Sequence, residues 1–128
     1  MRLLLDTHAL LWAVADPAAL SERARSALTD GANALIVSSA SAWEIATKHR
    51  LGRVPEAGIL LAAFAEHLER LRAQEMPISV RHALAAGAFP SPHRDPFDRI
   101  LAAQALLGGL PLVSRDPIFA EFQVETVW

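Results

Sequence analysis

Leu3-Leu4-Leu5 is a short unbroken apolar run, and Asp6 cuts it off. From Thr7 the pattern changes period, with Ala9, Leu10, Trp12, Ala13 and Val14 at helical spacing as far as Asp16-Pro17. A continuous run that gives way to a 3.6-residue repeat predicts a buried strand handing over to a helix. Ser21 has the form of a cap for a second helix through Glu22 to about Leu28, with Asp30-Gly31 as its stop. Ala34-Leu35-Ile36-Val37-Ser38, β-branched at its centre, predicts the next strand. Ser41-Ala42-Trp43-Glu44 then reads as a capping box, hydroxyl first and glutamate three on, opening a helix that ends at Gly52.

The second half alternates in the same way. Pro55 opens one long amphipathic helix carrying Ile59, Leu60, Ala63, Phe64, His67, Leu68 and Leu71. Met76-Pro77-Ile78 suggests a brief edge strand, with Ser79 capping a helix over 80–86 and a loop over 87–92. Asp95-Pro96 marks a helix start twice over, by an oxygen-bearing cap and by a proline where no N–H is needed. Asp98 falls in the first turn, Ile100, Leu101, Ala103, Ala105, Leu106 and Leu107 supply the buried side, and Gly108-Gly109 is the stop. A strand over 110–114, a short helix over 118–122 and a last strand over 124–128 complete the chain. Strand followed by helix, repeated, implies an α/β fold with a mainly parallel sheet covered on both faces. In such a sheet the strand carboxyl ends share one edge, and sites form there where the strand order switches.

Composition narrows what that edge does. At 128 residues the chain is expected to form one domain over 1–128, and 52% hydrophobic residues exclude disorder. The absence of cysteine excludes thiolate chemistry and zinc ribbons. The opening apolar run is too short for a secretory signal or a membrane span, so the expectation is a soluble cytoplasmic protein with no membrane partner. A net charge of −2 argues against a simple basic nucleic-acid clamp. Any nucleic-acid role must rest on bound cations.

Asp6, Glu44 and Asp116 each follow a predicted strand, and Asp98 opens a helix beside the sheet, so four carboxylates are expected to converge. Singly, each has a structural explanation: Asp95 as a cap, Asp98 as an acid favoured by the helix dipole, Glu44 as half of a capping box. Together they repel, and a hard divalent ion is the natural remedy. Two such ions activate water and stabilise a leaving oxygen in phosphodiester cleavage. Separation of Asp6 from Glu44 and Asp98, or a basic group fixed among them, would refute this reading. Trp12 and Trp43 suit core packing better than base stacking, and His8 and His93 suit structural roles. Arg99 and Arg115 are candidates for steadying a phosphate, with surface ion pairs as the stronger reading. A phosphoacceptor receiver would need a lysine after a late strand, whereas the one lysine is Lys48.

Four strings in order, LLLDTHALLW, SSASAWEIATKHRLGRV, HRDPFDRILAAQA and GLPLVSRDPIF, carry a resemblance that runs end to end. The chain resembles the PIN-domain ribonucleases, and closely resembles the VapC toxins of bacterial toxin–antitoxin pairs. The resemblance implies an α/β/α sandwich and a metal-binding quartet of Asp6, Glu44, Asp98 and Asp116. Asp98 is preferred to Asp95 by its spacing to Ile100-Leu101-Ala102-Ala103; Asp95 is left as a cap or a charge behind the ligands. Ser114 stands where the family often has a hydroxyl orienting a ligand or water. The implied activity is magnesium-dependent endoribonuclease, with manganese as the other candidate ion, RNA as substrate, a VapB antitoxin as partner and a homodimer as the assembly. The alternatives are a non-catalytic interaction module of the same fold and a DNA nuclease.

Overall fold

The computed structural model describes residues 1–128. Strand β1 (Arg2–Leu5) lies at the centre of the sheet, between β2 (Ala34–Ser38) and β4 (Leu112–Val113). Beyond them β3 (Ala73–Met76) and β5 (Thr126–Val127) complete the order β3-β2-β1-β4-β5, with every pair parallel. Parallel neighbours require crossovers, and helices supply them. Helices α1 (Thr7–Ala15) and α2 (Glu22–Thr29) join β1 to β2. Helices α3 (Ser39–Arg50), α4 (Ala57–Ala62) and α5 (Phe64–Leu71) join β2 to β3. Helices α6 (Val80–Ala88) and α7 (Pro96–Gly108) lead to β4, and α8 (Ile118–Glu121) to β5.

The unbroken apolar run of β1 follows from cover on both faces. Leu3 and Leu5 join Leu10, Ile45 and Leu60 in one buried layer, while Leu4 joins Leu101, Ala105 and Phe119 in the other. Register repeats the division, since Leu4 pairs with Ile36 and Leu112, and Leu5 with Val37 and Val113. Each of these fully buried side chains stabilises the fold by roughly 1.5–3 kcal/mol. The outcome is an α/β sandwich around an all-parallel sheet, as the alternation implied. No helix is long and apolar enough to cross a membrane.

Several expectations fail locally. The single helix expected from Pro55 is two, broken at Ala63 (φ −150°, ψ 52°). The edge strand lies three residues earlier than expected and ends at Met76, because its exposed Gln74 and Glu75 carry no apolar signal. Helix α6 runs on to Ala88, and the last two strands are shorter than the apolar stretches containing them. In α7 the buried run is Leu101 to Ala105, Gln104 included, whereas Leu106 and Leu107 are 43% and 36% exposed. Helix α7 packs against α6 and α3 as well as the sheet, so its buried arc is wider and rotated from the expected one. The Ser41–Glu44 capping box does not form. Ser38 caps α3, accepting from the Ala40 N–H at 3.0 Å, and the box appears instead at Ser79–His82 of α6.

Candidate active site

The chain builds β1, β2 and β3 outward on one side and then returns to place β4 and β5 on the other, so the switch in strand order falls between β1 and β4. The carboxyl ends at such a switch leave a crevice. Asp6 leaves β1 at its rim, and its N–H bonds the Val113 carbonyl of β4 at 3.1 Å. There Asp6 caps α1, Oδ1 accepting from the Ala9 N–H at 2.7 Å. The cap fixes one oxygen and the direction of the carboxylate. Asp95 does the same for α7, accepting from the Phe97 N–H at 2.8 Å, which puts Asp98 in the first turn beside the same crevice.

A pocket of about 100 Å³ results, and its walls include Asp6, Glu44, Asp95, Asp98 and Asp116 over an apolar floor of Leu101 and Phe119. The four acids expected to meet do share one pocket, and Asp95 joins them. Glu44, no longer needed as a cap, is 3% exposed and points inward. Its Oε1 accepts from the Thr7 hydroxyl at 2.5 Å, and its Oε2 pairs with Lys48 one turn along α3. Lys48 therefore stands in the lining among the acids. In this arrangement no three acidic or histidine side chains are placed to hold one metal ion. The carboxylates are brought together, and the basic group that would count against a metal there is present too: Lys48, 26% exposed, pairs with Glu44 alone.

One ammonium does not satisfy so many acids. Burial raises the Asp6 carboxyl above its ordinary value; the Ser114 hydroxyl, the Ala9 N–H and His8 pull it down, and Glu44 adds to the rise. Asp98 is pushed up to about 6, first by burial, with the neighbouring Asp95 and Glu44 charges adding to the rise. Its hydrogen bond with His93, Nε2 to Oδ2 at 2.7 Å, opposes that shift. Both carboxyls resist ionisation chiefly because they are buried, and neighbouring carboxylates add to it.

The other sequence candidates separate clearly. Ser114 is buried, lies beside Asp6 and accepts from the Asp116 N–H at 3.1 Å, so it links the two acids that flank the switch. Asp116 is exposed and accepts from the Ile118 N–H at 3.0 Å. Arg99 points away from the pocket. Its guanidinium donates to the carbonyls of Ala86, Gly87, Phe89, Ser91 and His93, and so clamps the loop that delivers His93 to Asp98. Neither Arg99 nor Arg115 is in an ion pair, contrary to expectation. Trp43 is 56% exposed, edge-on to Phe97, and is not a core residue. Sequence reasoning missed Thr7 and Lys48. The Glu44-to-Lys48 spacing, acid four residues before base on one helix, was the available signal.

Residues 3–125 match the PIN domain family. A chain of the crystal structure of VapBC2 from Rickettsia felis, bound to a DNA fragment from their promoter, superposes with a TM-score of 0.68 at 14% identity. The match covers 98% of this chain and 96% of that one, and at such identity it is a likeness of fold. No curated protein matches in sequence.

Proposed function

Because the chain belongs to the PIN domain family, matching it over residues 3–125, we propose that its acidic pocket is the site of a metal-dependent endoribonuclease. The observation that carries this reading is the gathering of Asp6, Glu44, Asp98 and Asp116 from separate elements into one pocket at the sheet's switch point. The acidic donors suit magnesium or manganese: five carboxylates with the Thr7 hydroxyl beside them share the lining with His8 and Lys48, and no thiolate or thioether is among them. Asp6, Glu44 and Asp98 would hold the ion, with Asp116 completing the set or holding a second. Such an ion, when bound, lowers the pKa of water and offsets charge developing on a phosphate.

The chain's own groups prepare that chemistry. The Ala9 N–H and the helix start orient Asp6, and Thr7 fixes the Glu44 carboxylate edge. His93 holds Oδ2 of Asp98, and Arg99 holds the loop that carries His93. Ser114 couples the orientation of Asp6 to the backbone of Asp116. Lys48 pairs with Glu44, and an ion held by the carboxylates would compete with that ammonium for Glu44. The likeness to a VapBC2 chain points to a toxin role with a VapB-type antitoxin as partner; the homodimer rests on the resemblance of the sequence alone.

Two observations favour the non-catalytic alternative: Lys48 occupies Glu44, and no ready-made three-ligand cluster exists. Cleavage decides between them. Purified protein incubated with RNA and magnesium or manganese should produce discrete new ends, EDTA should abolish them, and Asp98→Asn should fold but not cleave. Metal-independent or absent cleavage refutes the nuclease reading, and equal cleavage of DNA refutes the preference for RNA. Growth arrest on expression, relieved by the neighbouring upstream reading frame, tests the toxin role.

A further inference from the structure

The acidic pocket attracts cations and repels the polyanion that the nuclease reading assigns to it. The whole chain adds to the repulsion, with a net charge of −2. A strand of nucleic acid therefore needs a local positive contact near the acids. Lys48 is paired with Glu44, and the Arg99 donors are taken by backbone carbonyls. Arg115 is different. It is exposed, forms no ion pair, and its guanidinium carbon lies 4.5 Å from the centre of the Trp12 ring.

That contact lies beside the acids. A second pocket, of about 280 Å³, is lined by Asp6, His8, Trp12, Arg115, Asp116 and Pro117. Asp6, His8 and Asp116 line the acidic pocket too, so the two pockets are neighbours that share a wall. Trp12 is itself held between His8, ring centres 5.5 Å apart, and Trp128 at 5.7 Å. An arginine resting on a held indole loses less freedom on binding than one free in solvent, and its hydrogen-bonding edge stays available.

We propose that Arg115, backed by Trp12, is the phosphate contact for the nucleotide flanking the scissile bond of a single-stranded RNA. The inference rests on the nuclease reading for the identity of the strand and on the second pocket for its place. One flanking phosphate on Arg115 would lay the next phosphodiester over Asp6 and Asp116, which both pockets share. A guanidinium backed by an indole is also a platform on which an unpaired base can stack, which suits a single strand better than a duplex.

The test compares wild type with Arg115→Gln and Arg115→Lys on a fluorescein-labelled, mixed-sequence single-stranded RNA. With magnesium, Arg115→Gln should raise KM about tenfold, the loss falling on KM rather than kcat, as expected for one charge-assisted phosphate contact. The slope of log kcat/KM against log salt should become shallower by about 0.7, the value of one phosphate contact to a single strand. Arg115→Lys should restore the slope and only part of the affinity. Manganese titration without RNA should give wild-type affinity in Arg115→Gln, which separates a lost substrate contact from a disturbed acidic pocket. Wild-type KM and salt slope in Arg115→Gln, or a change in manganese affinity that accounts for the loss, overturns the proposal. Should wild type cleave no RNA, the nuclease reading fails by itself, and anisotropy of the same RNA then decides: weaker binding by Arg115→Gln sustains the contact, whereas no binding or equal binding removes it.

Discussion

The two flanks of the acidic pocket are built to different standards. On the side of α1 and α3, Asp6 is 7% and Glu44 3% exposed, and each has partners that fix its oxygens: the Ala9 N–H for one, Thr7 and Lys48 for the other. On the side of α7 and β4, the Asp98 side chain is 18% exposed and Asp116 is open to solvent. Asp98 is steadied by a histidine from a loop, and Asp116 only by its own turn. The first flank is assembled by folding, because its acids are held by the start of α1 and the body of α3. The second is the more exposed of the two, so on the nuclease reading it is the side a cation and a substrate would meet first. If the pocket is the metal site proposed above, it has one wall set by folding and one open to solvent.

Activity gives the largest separation. Asp6→Asn and Asp98→Asn should each lower kcat/KM by about a thousandfold, close to 4 kcal/mol, as expected where an acid holds the catalytic ion. Asp116→Asn, on the exposed flank, should lose less, about ten- to a hundredfold. Steady-state cleavage with magnesium measures all three. A thousandfold loss in Asp116→Asn as well would mean that this exposed acid holds the ion as firmly as the two more buried ones.

Stability without metal separates them in the other direction. Lys48→Met leaves the Glu44 carboxylate buried beside other acids with no cation. It should destabilise the protein by about 2–3 kcal/mol in denaturant titrations with EDTA, less than for a fully buried pair because Lys48 is 26% exposed. Adding Glu44→Gln should recover much of that loss, giving a coupling of about 1–3 kcal/mol for two residues in contact. Asp116→Asn should fall within about 0.5 kcal/mol of wild type. Lys48→Met should also bind manganese more tightly, since no resident cation competes for Glu44. Unchanged affinity in a folded variant would show that Lys48 does not oppose the metal.

How far this was legible from sequence follows the same division. Asp6 and Asp98 announced themselves by position, one after three leucines and the other after Asp95-Pro96, because strand ends and helix caps have local chemical signatures. The sheet was legible wherever a strand is covered on both faces, as in β1 and β2. It was not legible at β3, an edge strand paired on one side only, where Gln74 and Glu75 face solvent. The break at Ala63 has neither glycine nor proline to mark it, so the apolar spacing reads straight through. The role of Glu44 was legible in place and wrong in partner. Its spacing from Ser41 mimics a cap, whereas its bonds to Thr7 and Lys48 depend on how α1 and α3 meet. Contacts between elements leave no local pattern to read. For the same reason Arg99 looked available, although its carbonyl partners over 86–93 become neighbours only once the loop has closed.

A pH titration of stability bears on the exposed flank. The Asp98 carboxyl is raised from 3.8 to about 6, so between those values the folded chain binds more protons than the unfolded one. Its contribution is therefore fully present below 3.8 and is lost as pH rises through 6. The loss should be of order 1–3 kcal/mol in EDTA, and Asp98→Asn should flatten it. Metal binding should run the opposite way, strengthening as pH rises through that window, because the ion takes the deprotonated acid. Stability that rises between pH 4 and 6 through Asp98 would mean its charge is already satisfied without metal.

A smaller effect probes the fixed flank. Thr7→Val keeps the shape of a buried side chain and removes the hydroxyl that donates to Oε1 of Glu44 and shares a hydrogen bond with the Ser41 hydroxyl. It should cost about 1–2 kcal/mol, since a buried acceptor is left without its donor. Asp95→Ala removes a cap on the exposed flank and should cost about 1 kcal/mol. The two losses are similar in stability, so metal affinity is what tells them apart. If Thr7 fixes the carboxylate edge that an ion must meet, manganese affinity falls in Thr7→Val and is largely kept in Asp95→Ala. A fall confined to Asp95→Ala would move the fixed wall of the site from α1 and α3 to α7.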